Sequence, residues 1–119
     1  MVKQECTYHP NFEIKCFREY INGMLIEEMY FNDKGDKHGT YRGWYPNGQL
    51  EFSVTFENGY KHGNLIKYFE NGKIQSVREY VHGNSKQYTQ YSEDGTEFYT
   101  QIFTQNGLSD SLNLSFRKQ

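Results

Sequence analysis

The sequence contains no alanine, and among its 119 residues only two prolines, two cysteines and one tryptophan. Alanine is the strongest helix former, and aromatic side chains fit a pleated surface better than a helix, so a helical bundle is strongly disfavoured. Long hydrophobic runs are missing too: no stretch approaches the ~20 apolar residues of a membrane-crossing helix. The opening run Met1-Val2-Lys3-Gln4-Glu5-Cys6 is too polar for a secretory signal. The expected location is therefore cytoplasmic, or the host cytoplasm if the source is viral. Cys6 and Cys16 are too few for a disulfide scaffold and lack the CxxC spacing of a zinc site, so both are read as reduced thiols. Neither sign of charge dominates. Thirteen Lys and Arg face fifteen Asp and Glu, interspersed along the chain, for a net charge of −2. Nucleic-acid modules concentrate basic charge because phosphate neutralisation supplies much of their affinity, so no nucleic-acid partner is expected.

What the sequence has instead is rings, glycines and a period. Eleven Tyr, nine Phe and one Trp make up 18% of the chain. Lys37-His38-Gly39 recurs 24 positions later as Lys61-His62-Gly63, and Gly35, Gly59, Gly83 and Gly107 keep the same step. A second series, Gly23, Gly48, Gly72 and Gly95, falls near the midpoints. Such self-similarity marks a repeat architecture. It divides a single domain, residues 1–119, into frames 12–35, 36–59, 60–83 and 84–107, with end caps 1–11 and 108–119.

Most of these glycines sit in turn dipeptides. Asn22-Gly23, Asn47-Gly48, Asn58-Gly59, Asn71-Gly72 and Asn106-Gly107 are Asn-Gly pairs, and Asp94-Gly95 is equivalent. Such pairs accept φ > 0 at both central positions, so type I′ hairpins are predicted at all of them. Between turns, Leu50, Phe52, Val54 and Phe56 alternate with polar neighbours, the period of a half-buried strand. Ile26, Ile74 and Phe98 occupy matching positions and are expected on the same face. The fold class is all-β: an antiparallel β-meander of stacked hairpins, elongated and twisted. Eight or nine strands at ~4.8 Å spacing predict a length near 40 Å. Because Gly23 and Gly95 come one residue early, a turn or bulge must absorb the slip. Leu112, Leu114 and Phe116 alternate with polar residues, which predicts one more strand in the carboxyl tail.

Segments such as Gly43-Trp44-Tyr45-Pro46-Asn47-Gly48-Gln49-Leu50 and Tyr68-Phe69-Glu70-Asn71-Gly72-Lys73-Ile74 resemble MORN repeats. More closely, they resemble the MORN-variant repeat of the YwqK-like antitoxin family. The likeness is good in frames 36–59 and 60–83, weaker in 84–107, where Gln87 replaces the frame's glycine, and weakest in 12–35. It implies a sheet of stacked hairpins that acts as a scaffold or interaction module.

The aromatic column Trp44, Tyr68 and Tyr91, with Tyr41, Tyr45 and Phe69, is a candidate interaction surface. Equivalent rings two strands apart form a ladder at ~9–10 Å. The alternative is that these rings form the core of a thin sheet. Lys37, His38, Lys61 and His62 are candidates to line an anionic site, against the plainer reading of polar, solvated loops. The same spacing is too wide for two histidines to share a metal, so no metal is expected. Nucleophile, metalloprotease, P-loop and dinucleotide motifs are absent. Adjacent strand residues such as Glu27 and Glu28 point to opposite faces and make no acid–base pair. The expectation is a non-enzyme without cofactors, binding a partner protein in the manner of a scaffold or antitoxin. A membrane-surface module for anionic lipid is the alternative. A single-layer sheet leaves apolar surface uncovered unless it curls, is capped by its tails or pairs with a second copy, and a homodimer is expected.

Overall fold

The computed structural model describes residues 1–103 and the strand backbone of residues 109–113. Among the described residues there is no helix. The strands are β1 (Val2–Tyr8), β2 (Ile14–Ile21), β3 (Met24–Tyr30), β4 (Gly39–Trp44), β5 (Leu50–Glu57), β6 (Tyr60–Lys61), β7 (Gly63–Tyr68), β8 (Ile74–Val81), β9 (Asn84–Tyr91), β10 (Glu97–Phe103) and β11 (Ser109–Asn113). Ten of them pair in sequence order in one open antiparallel sheet, and the two-residue β6 pairs beside them with β5. Sequential hairpins alone produce this order, since each strand is delivered next to the one before it. The longest axis is 53 Å, more than the predicted 40 Å, because both tails add strands. The pair Asn106-Gly107 and residues Leu114 and Phe116 lie outside the described residues.

The turns are of two kinds, which corrects the uniform type I′ expectation. At Asn22-Gly23, Asn58-Gly59 and His82-Gly83 both residues have positive φ, as type I′ requires. At positions 47–48, 71–72 and 94–95 only the glycine does. There the turn is one residue longer: Gly48 N donates to Tyr45 O, and Tyr45 N donates to Gln49 O. This is a type I turn closed by a left-handed glycine. The Asn side chain selects it, because Asn47 Oδ1 accepts from Gln49 N and Asn71 Oδ1 from Lys73 N. Frames 36–59 and 60–83 place the longer turn at mid-frame and the type I′ turn at the end. Frame 12–35 reverses them, with type I′ at Asn22-Gly23 and the longer turn at 32–36. That reversal underlies its weak resemblance to the others.

The longer turns bring bulges, and the bulges redistribute the apolar residues. Gly43 pairs with Phe52 but Trp44 pairs with Leu50, so Glu51 is the extra residue. Leu50 therefore shares the face of Trp44, opposite to Phe52, Val54 and Phe56. Gln75 plays the same part in β8, which puts Ile74 with Tyr68. The expected single apolar row is thus split between two faces. A bulge shifts the two-residue period by one, and every residue beyond it changes sides.

The sheet is a single layer. Its shortest dimension is 13 Å, where a second sheet would add ~10 Å. Among the described residues neither curling nor the amino-terminal tail covers a face, since β1 extends the edge. Among the described residues only Cys16, Val54 and Phe56 are buried apolar side chains, and both cysteines are free thiols.

Candidate interaction surface

Two unbroken cross-strand rows define the faces. One runs Arg18–Glu28–Arg42–Ser53–Ile66–Val77, each residue directly opposite the next. On this Glu28 face, the carboxylate of Glu28 takes a hydrogen bond from Arg18 Nε at 2.8 Å and another from Arg42 Nη2 at 2.7 Å. Glu28 is 5% exposed. Desolvation, the largest single influence, pushes its pKa up, but the two arginine hydrogen bonds and charges outweigh it, and the net shift is downward. The pairing raises the pKa of Arg18 in turn, chiefly through the Glu28 hydrogen bond. This triad ties three strands together where a larger protein would use a core.

The column Trp44, Tyr68 and Tyr91 lies along one side of the Glu28 face, each ring at a bulge. The Arg42 guanidinium sits 5.7 Å from the Trp44 ring centroid on the same side. Leu50 and Ile74, carried to this face by the bulges, stand between the rings and make the column a mixed aromatic and aliphatic strip. Every ring in it is half-buried and Ile74 is exposed.

The second row runs Glu19–Glu27–Gly43–Phe52–Lys67–Ser76 and defines the Tyr41 face. Tyr41 packs edge-to-face on Phe52 at 4.9 Å, and its hydroxyl donates to Glu27 Oε2 at 2.7 Å. Burial first, then this hydrogen bond and the Glu27 charge, push the Tyr41 pKa up to about 12. Lys37 Nζ stands 5.2 Å from the Phe56 ring centroid, and Lys61 Nζ stands 5.1 Å from that of Tyr80, one frame on. Tyr45 opens on this face beside Glu51, Phe52 and Lys67, and its hydroxyl donates to Tyr68 O at 2.6 Å. Phe69 belongs to the longer turn, where its carbonyl accepts from Gly72 N. The rings singled out in the sequence are therefore divided between the faces: Trp44, Tyr68 and Tyr91 together, Tyr41 and Tyr45 opposite.

The histidines have a local task at the sheet margin. His38 Nδ1 accepts from Asn58 N at 3.1 Å, and His62 Nδ1 accepts from His82 N at 3.3 Å. The neighbouring carbonyls of Lys37 and Lys61 accept from Gly59 N and Gly83 N. Lys-His-Gly is thus the element by which each turn holds the turn of the next frame, while the lysine side chains remain on the Tyr41 face. No group of three or more His, Cys, Asp or Glu among the described residues is placed to hold a metal ion.

Sequence reasoning missed the groove between β7 and β8. A cavity of about 290 Å³ there is lined by Lys61, Lys67, Ser76, Arg78 and Tyr80 and has no carboxylate in its wall. Aligning the frames by 24 residues would have exposed it: Gly43, Phe52 and Val54 become Lys67, Ser76 and Arg78. The ring that covers Gly43 in one copy is missing in the next, and two cations border the gap.

Hairpins stacked in step, with the same turn-to-turn hydrogen bonds in frames 36–59 and 60–83, are the geometry against which known families can be compared. Residues 37–58 and 61–82 match the MORN repeat variant. These two consecutive MORN-variant repeats fall where both turn types keep the same order. No curated protein matches the chain. A solved structure, accessory secretory protein 1, 2 and 3 of Streptococcus pneumoniae, is similar over 92% of this chain at 14% identity and a TM-score of 0.33. The present chain spans only 19% of that one, and so slight a likeness carries no argument.

Proposed function

We propose that the protein is a non-catalytic MORN-repeat module that binds a partner protein through the strip of Trp44, Tyr68 and Tyr91 with Leu50 and Ile74. The observation that carries this reading is the strip itself. Large rings and aliphatic side chains line up along one face of a sheet on which none of the described residues forms a second layer. Aromatic anchors supply most of the energy of protein interfaces, and a face of 53 × 37 Å exceeds the ~800 Å² per partner of a standard one. A scaffold role and an antitoxin-like sequestering role both use such a surface.

The alternative, an anionic-lipid surface, draws on the Lys37 and Lys61 column with Lys67 on the other face. Immobilised full-length protein should retain a stoichiometric partner from lysate of its source cell, and the Trp44→Ala/Tyr68→Ala variant should lose it. A partner retained equally by that variant sinks the strip assignment. Flotation with phosphatidylserine vesicles, abolished by Lys37→Gln/Lys61→Gln, would replace the protein reading with the lipid one.

A further inference from the structure

The two ends of the Tyr41 face carry opposite charge. Glu19 and Glu27 stand in the row on β2 and β3, Lys67 stands in the same row on β7, and Gly43 and Phe52 lie between them. The next positions on the same face hold the cross-strand pairs Tyr41–Val54 and Leu65–Arg78, where Arg78 of β8 adds a second cation at the end that carries Lys67. A two-fold axis parallel to the strands, above the boundary of β4 and β5, exchanges β4 with β5, β3 with β7 and β2 with β8. Each row is then laid on itself in reverse. From these operations we infer that the protein is a face-to-face homodimer closed on the Tyr41 face, in which Glu27 of each copy meets Lys67 of the other.

The same operation matches the other positions. At the centre of the row each copy's Phe52 ring, folded over its own Gly43, meets the other's ring across the axis. Glu19 lies over Ser76, the small residue at the floor of the cationic groove, with Lys67 and Arg78 beside it. In the second row Tyr41 of each copy meets Val54 of the other. Isologous pairing requires a self-complementary patch, and in the first row Glu27 and Lys67 stand at equal distances on either side of the axis with Gly43 and Phe52 between them. It also resolves the thinness of the sheet. Two layers ~10 Å apart form a sandwich whose interior is the face bearing Phe52, Val54 and Phe56. The face is large enough, since 53 × 37 Å exceeds the ~800 Å² per partner of a stable interface. The partner strip on the Glu28 face stays outside the sandwich, so this inference does not depend on the proposed function.

The charges supply the test. In a Lys67→Glu homodimer, and in a Glu27→Lys homodimer, both symmetry-related contacts become like-charge pairs. Like charges set against each other in an interface are strongly unfavourable, so each variant alone should dissociate at least about a hundredfold more readily than the wild type. Mixed in equal amounts, the two variants regain both contacts with opposite charges and should form a heterodimer. Light scattering behind size-exclusion chromatography of the full chain, over a range of concentrations, reads all of these states. Circular dichroism confirms that each variant keeps its sheet. A wild type that stays monomeric at every concentration overturns the inference. So do single variants that remain dimeric, which would place the interface elsewhere, and so does a mixture that stays monomeric.

Discussion

Phe52 covers Gly43. The two are directly paired across β4 and β5, and a Cβ built at position 43 would overlap the Phe52 ring, with Cζ only 2.8 Å away. Gly43 is not required by backbone conformation, since it is not among the glycines with positive φ. It is required by the ring. Tyr41 packs edge-to-face on the same ring.

Gly43→Ala should therefore destabilise the protein by about 1–3 kcal/mol, the usual range for overpacking. Ser76 and Lys67 stand at the equivalent positions one frame on, so Gly43→Ala/Phe52→Ser should recover part of the steric loss while forfeiting the ring's burial. Chemical denaturation of the two variants and of Phe52→Ser alone gives the coupling, which should be clearly favourable.

Glu28→Gln removes the carboxylate from between two arginines. Breaking such a pair leaves charge uncompensated, and the expected cost is about 2 kcal/mol, moderated because both arginines reach solvent. The pH dependence follows from the downward shift of the Glu28 pKa. The folded state holds its proton less tightly than the unfolded chain does, so the contribution is complete above the ordinary carboxylate range. It is lost as pH falls through the lowered value. Acid unfolding curves of wild type and variant should converge at low pH and separate towards neutrality.

Tyr41→Phe should change the alkaline limb instead. With its pKa at about 12, folded Tyr41 keeps its proton where unfolded tyrosine, at ~10, has lost it. Its contribution to stability is complete below pH ~10 and disappears as pH rises through about 12. In a difference titration of phenolate absorbance, the component missing from the variant should be the late one.

Phe12 occupies the closing position of the first longer turn, with φ 72° and 88% exposure, where the later turns have glycine. A bulky residue in the left-handed region costs about 1–3 kcal/mol. Glycine gives back part of that through greater freedom in the unfolded chain. Phe12→Gly should raise stability by about 0.5–1 kcal/mol and the melting temperature by about 2–4 °C. A melting temperature that falls would show that the exposed ring contributes contacts of its own.

Legibility in the sequence followed the range of each interaction. Asn58-Gly59 and Lys61-His62-Gly63 act within a few residues of themselves, and the period they set was enough to predict hairpins stacked in order. Asn47-Gly48 shows the limit. The same dipeptide as Asn58-Gly59 closes a different turn, because the side chain of Asn47 finds Gln49 N and turns the backbone another way. The bulge that follows then moved Leu50 and Ile74 across the sheet, a displacement that counting by twos cannot detect. The aromatic column was legible as a set of equivalent positions, whereas Tyr45, next in sequence to Trp44, lies on the opposite face.

The repeat of 24, the turn residues and the strand alternation determined the class of fold and the order of its strands, since each depends on neighbours close along the chain. Register and face were decided only by the assembled sheet. Whether Glu28 meets two arginines, and whether Glu27 and Lys67 share a row, depends on where each of several bulges falls. Every bulge reverses the sides of all that follows, so one residue of slip outweighs any local preference.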